Sequence, residues 1–359
     1  MGERFNRAAS IGAFTFALLP IIGAAHAATI NAQAEGFAVL AGGPVSTGQS
    51  VRVDGAVGGD GVWLGKENVI GGDVLSTGEA GLDRDSRVAG RLSARRGVAV
   101  DRGSSIAGAV DAGGSVWLDR DVRSGTLRGG AGVGLSRDVR IEGDVSHAGS
   151  FWADRGVTIT GAVVEAGPVP EFWGGATRQR PTIDAGGPAH WSPGESEIDL
   201  TPGSYGSLSV DRESTIRLTA GDYAFSSVWL GREVRVLADT SGGPITLDVA
   251  GSFTVDREVR FEADPSLMVV RAGNSVSVGR ESRLDASLHA FGDMSIDRES
   301  VIGGRVYARN SLWLDSGVEV LGAPLAGDGA AGQIPEPASG VLMTAVLAGL
   351  AMRRRAGRR

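Results

Sequence analysis

The chain of 359 residues contains no cysteine, four histidines, three tyrosines and ten phenylalanines, and aromatic residues make up 6% of it. The missing cysteines exclude disulfides and thiolate metal sites, so stability has to come from packing alone. With so few bulky side chains a thick globular core is also excluded. The 57 glycines point instead to many turns around a narrow core. His147, His190 and His289 stand apart from one another without metal-ligand spacing, and no Gly-x-Ser-x-Gly or phosphate-binding loop occurs. No catalytic residue, metal site or cofactor is therefore assigned.

What is present begins at the two ends. Arg4 and Arg7 precede an apolar run from Ala8 to Ala25, and Ala25-His26-Ala27 supplies small residues for cleavage. This is the pattern of a secretory signal peptide over 1–27, and it is too apolar for an Arg-rich amphipathic mitochondrial presequence. At the other end come Pro335-Glu336-Pro337, an apolar stretch from Ala338 to Met352, and Arg353, Arg354, Arg355, Arg358 and Arg359. The prolines end regular structure. Fifteen apolar residues reach about 23 Å as a helix, short for a hydrocarbon core of ~30 Å. The arginines would keep that end in the cytoplasm.

This order of proline motif, short apolar helix and arginine cluster resembles the PEP-CTERM sorting signal of Gram-negative bacteria. The alternative is an ordinary C-terminal anchor. The resemblance implies an exosortase as processing partner and a transient hold in the inner membrane through 338–352. It also implies delivery to the cell surface or extracellular matrix, where such proteins associate with exopolysaccharide or biofilm. Removing both ends takes away seven of 35 basic and two of 42 acidic residues, leaving a formal charge of about −12. Such a charge disfavours nucleic acid as a partner.

Between the ends the chain repeats. Units open at 62, 80, 98, 116, 133 and 151, as in Val98-Ala99-Val100, at intervals of 18 with one of 17. With the opening residue as position zero, small or apolar residues recur at positions 0, 2, 6, 8, 12 and 14. In one unit these are Val98, Val100, Ser104, Ile106, Val110 and Ala112; in another, Val62, Leu64, Asn68, Ile70, Val74 and Ser76. Residues two apart face the same side of a strand. Three such pairs per 18 residues predict three short strands per turn around a triangular core: an all-β parallel β-helix, or β-solenoid. The polar Asn68 and Ser104 either stack as internal ladders or mark a looser corner. At Arg128 the unit from Val116 departs from the pattern, which predicts an insertion or bulge.

A second series opens at 208, 228, 253, 276, 294 and 312, with Met294, Ile296, Ser300, Ile302, Val306 and Ala308 as inward positions of one regular unit. Its wider early spacings predict loops near Ser241-Gly242-Gly243-Pro244 and Asp264-Pro265. The expected organisation is a signal peptide (1–27), a first array (28–165), a linker or excursion with five prolines (166–200), a second array (201–326), a spacer (327–334) and the sorting signal (335–359). The phrase Pro202-Gly203-Ser204-Tyr205-Gly206, followed by Ala220-Gly221-Asp222-Tyr223-Ala224-Phe225, resembles a β-helical domain of secreted bacterial surface proteins. The triangular unit is also similar to that of bactofilins, which polymerise end to end.

Two outward rows follow from the repeat. At position 4 a basic residue, from Lys66 and Arg84 to Arg298, occurs in eleven of twelve units. Acids flank it, for example Asp83, Asp101 and Asp119 at position 3 and Glu67, Asp85 and Glu299 at position 5. A charge-balanced corner accounts for this row; contact with acidic sugars or divalent ions is the functional alternative. Trp63, Trp117, Trp152, Trp229 and Trp313 all fall at position 1, which points outward. They are candidate carbohydrate contacts. Otherwise they pack under the 166–200 excursion or against arginines. The sequence therefore predicts a passive structural or adhesive protein rather than an enzyme. The alternatives are a self-associating end-to-end scaffold and, on analogy with other β-helices, a polysaccharide lyase or hydrolase.

Overall fold

A computed structural model describes residues 36–165 and 183–323. The chain is a parallel β-solenoid whose strands form three sheets of fourteen strands each, and no helix occurs among the described residues. Each coil crosses an opening sheet, a middle sheet and a closing sheet, except that Phe37–Ala41 takes the closing place of the coil from Leu312. In one coil these crossings are Val98–Val100, Ser105–Ile106 and Val110–Ala112. Successive coils pair in register, with Val98 between Ala80 and Val116 on neighbouring strands.

The six inward positions behave as the period predicts. Val98, Val100, Ser104, Ile106, Val110 and Ala112 are all buried, as are the corresponding residues of the coils from Val62 and Met294. Stacking extends this thin core into one continuous cluster from Ala38 to Val320. The polar inward residues form ladders. Val51 N donates to Asn68 Oδ1 (2.7 Å), Asn68 N to Ser86 Oγ (3.3 Å) and Ser86 N to Ser104 Oγ (3.2 Å). Ser282 N likewise donates to Ser300 Oγ (3.3 Å). These bonds satisfy backbone groups at a corner where the sheet ladder is interrupted.

Fourteen coils exceed the twelve units read from the sequence. The additional ones open with Val45 and His190, the first coil of each array. The expected bulge at Arg128 is instead a deletion. Leu127 pairs with Val110 and Val145, so the coil from Val116 is one residue short at its Gly125-Thr126 corner, and Arg128 keeps its outward place. The expected loops are present, as turns between Arg235–Asp239 and Ile245–Val249 and between Arg260–Glu262 and Met268–Ala272.

The order of coils along the axis differs from their order in the chain. Phe37–Ala41 pairs with Val306–Ala308, Val45 with Leu312, and Arg52 with Glu319, so the first described coil rests on the last. Residues 183–323 form one half of the prism and 36–165 continue it, and both described termini emerge at mid-length. Fourteen strands span about 62 Å at ~4.8 Å per step. Glu165 leaves one end. Asp184 lies at the other, where its carbonyl accepts from Ser204 Oγ (3.0 Å) beyond the edge strand Gly203–Ser204. At the seam a small second cluster of Phe37, Leu40, Leu75 and Tyr307 is buried on the outer face of the closing sheet.

Candidate functional site

The outer surface of the prism carries three rows. The corner between the opening and middle sheets holds the acid–base–acid row. Position 5 has a left-handed backbone in all fourteen coils, with φ of 57–62° at Ser50, Glu67, Asp85, Glu213 and their equivalents and 71–78° at Gly103, Gly156 and Gly317. The position-3 aspartate caps this turn: Asp83 accepts from the Arg84 amide (2.7 Å), Asp101 from Arg102 (2.7 Å) and Asp256 from Arg257 (2.8 Å). Ion pairs such as Arg232–Glu233 (2.9 Å) and Arg84–Asp83 (3.9 Å) are half exposed and therefore worth little. The triplet is turn chemistry, in which Oδ1 of the position-3 aspartate holds the following amide. Asp101, stacked between Asp83 and Asp119, is pushed above the ordinary carboxylate range by burial. The Arg102 amide opposes that shift and the two neighbouring aspartates reinforce it.

The second row lies on the opening sheet. The structure places Trp63, Trp117, Trp152, Trp229 and Trp313 together on its outer face, and Trp191 of the coil from His190 joins them. Trp191 escaped the sequence reading because its coil lacks the Asp-Arg corner that marks the others. Trp63 is half-buried and the other five are between 42% and 73% exposed; residues 166–182 of the expected excursion lie outside the described residues. Glycines on adjacent strands let two indoles lie flat. A Cβ at Gly81 would sit 2.3 Å from the Trp63 ring, and one at Gly134 would sit 2.4 Å from the Trp117 ring. Over Gly134, Trp117 and Trp152 stack with centroids 5.6 Å apart and planes 5° from parallel.

Between Trp63 and Trp117 the small residues Gly81 and Ala99 form the floor of a groove of about 570 Å³. Trp313 lines it as well, and Asp83, Asp101 and Asp119 form its corner side. Flat apolar ring faces beside polar acceptors suit the faces and hydroxyls of sugar rings. The sequence did not show the third row, which lies on the middle sheet and includes Arg87, Arg123 and Arg140 at outward positions.

The histidines remain separate. His147 Nδ1 lies 2.7 Å from the Gly149 carbonyl, His190 meets Tyr205 edge-on, and His289 is buried against Tyr307. No group of three metal-ligating side chains occurs among the described residues. Pro335, Glu336, Pro337, Arg353, Arg354 and Arg355 lie outside the described residues, as do 1–27 and 338–352. Among the described residues no helix is long and apolar enough to cross a membrane.

No protein-family model matches the chain, and no curated protein matches it. Among solved structures, the crystal structure of an ice-binding protein from an Antarctic Flavobacteriaceae bacterium is similar over 84% of this chain and 100% of its own. The identity is 13% and the TM-score 0.28, too low for anything about this chain to rest on it.

Proposed function

We propose that this chain is an exported structural or adhesive protein of the bacterial surface or extracellular matrix. In this reading an exosortase processes its Pro335–Arg359 tail, and the tryptophan face of the solenoid holds polysaccharide. The observation that carries the polysaccharide reading is the parallel, stacked Trp117–Trp152 pair, exposed on one face of the prism in line with four further indoles. Because the backbone is fixed by neighbouring coils, the rings are positioned before any ligand arrives, which reduces the entropic cost of binding. The sorting reading is supported by the three-part tail and the signal peptide, and the mechanism is passive presentation of a surface.

The test is affinity electrophoresis of the protein through neutral glucan. Retardation that disappears in Trp117→Ala/Trp152→Ala supports the reading; equal migration with and without glucan sinks it. For the sorting part, deletion of Pro335–Arg359 should prevent surface delivery, and normal delivery would refute it.

One observation favours end-to-end self-assembly as a second reading. Both terminal coils keep a strand edge with exposed apolar residues, Val163 and Val164 at one end and Trp191 at the other. The seam at mid-prism shows that coils distant in the chain dock through the same parallel pairing. Sedimentation in buffer alone separates the two: filaments without polymer support assembly, and a monomer at all concentrations excludes it.

A further inference from the structure

We propose that the middle sheet of the first array binds a carboxylate-bearing polysaccharide through Arg87, Arg123 and Arg140; the choice of a polysaccharide over another polyanion rests on the function proposed above. All three occupy outward position 7 and are exposed. Arg123 pairs directly with Arg140 on the neighbouring strand, and Ser105 alone separates Arg87 from Arg123. Like charges opposed on adjacent strands destabilise a sheet unless something neutralises them.

Elsewhere in this row the protein supplies that neutralisation itself. Arg52 pairs with Asp54 (3.3 Å), Arg235 with Glu262 (2.7 Å) and Arg283 with Asp285 (3.0 Å), and Arg260 lies between the last two pairs. Arg87, Arg123 and Arg140 have no ion-pair partner among the described residues. Position 9 holds Ala89 in the coil of Arg87 and Gly125 in that of Arg123, where Asp54 and Asp285 stand in the coils of Arg52 and Arg283; in the coil of Arg140 it holds Glu142, which forms no ion pair with Arg140 among the described residues. The result is a trough of about 440 Å³ that runs along the prism past Arg87, Ser105 and Arg123, with Glu142 also lining it.

On a chain with a net negative charge, this is a line of three arginines without an ion pair, and Glu142 is the one acid among the residues lining the trough. Its charges recur at one and two strand steps, about 4.8 and 9.6 Å, on a backbone that cannot rearrange. Guanidinium forks engage carboxylates in bidentate fashion, and a polymer with an acid group on each ring offers such partners in series. A neutral polymer offers none.

The experiment compares the full chain and an Arg123→Gln/Arg140→Gln variant on immobilised polygalacturonate and on neutral glucan at several salt concentrations. Arg52→Gln is the control for a paired arginine. Because the substituted arginines are exposed, the variant should keep its fold, which circular dichroism checks. The expected result is at least tenfold weaker binding to polygalacturonate, a shallower dependence on salt, unchanged binding to neutral glucan, and wild-type behaviour of Arg52→Gln. Equal affinity of variant and wild type for polygalacturonate would overturn the proposal. So would effective competition by double-stranded DNA at matched charge, which would mark a general polyanion surface. If the chain binds neutral glucan but not polygalacturonate, this inference fails while the tryptophan-face reading stands; the reverse outcome separates them the other way.

Discussion

Shortening the connection between the two halves should break the prism at its seam. Glu165 and Asp184 sit at opposite ends, fourteen strand steps or about 67 Å apart. Nineteen residue steps join them, and a chain reaches at most ~3.3–3.6 Å per residue, or about 63–68 Å. Deleting Gly174–Arg178 reduces that reach to about 46–50 Å. The shortfall of roughly 17 Å corresponds to three or four coils. Each coil contributes six inward side chains, each worth roughly 1.5–3 kcal/mol of burial when apolar. Unwinding three coils gives up that gross burial three times over, whereas parting the seam breaks a single coil-to-coil junction, so the seam yields before the ends fray. The coils from Val45 and Leu312 should instead part, or pair with those of a second molecule. Small-angle scattering and size-exclusion chromatography would then show a longer particle or a dimer. A monomer with an unchanged scattering profile and melting temperature would mean that the connection does not span the prism from end to end. Inserting ten Gly/Ser residues at the same place should not lower the melting temperature, because it lengthens a reach that only just spans the gap.

Tyr223 is fully buried, and its hydroxyl lies 2.9 Å from both the Thr219 amide and carbonyl and 3.1 Å from the Leu200 carbonyl. Tyr223→Phe should cost about 1–3 kcal/mol in urea unfolding, as expected for unpartnered buried polar groups. Gly134→Ala should push the Trp117 ring off its neighbour and weaken glucan binding while leaving the melting temperature within a few degrees of wild type. Asp111 is held above the ordinary carboxylate range by burial, against the opposing charges of Arg128 and Arg91. Its native form binds a proton more tightly than the unfolded chain does. Its contribution is therefore full below the unfolded value and is lost as pH rises through the raised native one. Asp111→Asn should flatten the stability profile over that acidic window, which melting curves between pH 3 and 7 would show.

Much of this architecture can be read from the repeat. Inward positions two apart, offset by six, describe a triangular coil, and Val98, Val100, Ser104, Ile106, Val110 and Ala112 occupy the places the period assigns them. The outward placement of Trp63, Trp117, Trp152, Trp229 and Trp313 follows from the same alternation. The first coil of each array was not legible. Gly48-Gln49-Ser50 and Pro193-Gly194-Glu195 replace the Asp-Arg-acid corner there, although Ser50 and Glu195 adopt the same left-handed conformation. The position-5 acids read as a charge row, whereas the backbone requires residues that tolerate positive φ at that place. The permuted stacking left no local signal at all. Any coil can serve as the neighbour of any other, so nothing near Val45 names Leu312 as its partner. The middle-sheet arginines were obscured because Val69 and Ser105 interrupt their row.

The beginning and end of the folded chain are adjacent strands at mid-prism. Since the chain has no cysteine, Arg52→Cys/Glu319→Cys would place one thiol on each side of the seam, at residues that pair directly on the outer face of the middle sheet. Under mild oxidation a disulfide should form rapidly within monomers, seen as a mobility shift on a non-reducing gel that dithiothreitol reverses. Thiols that remain free, or that cross-link only between molecules, would contradict that adjacency.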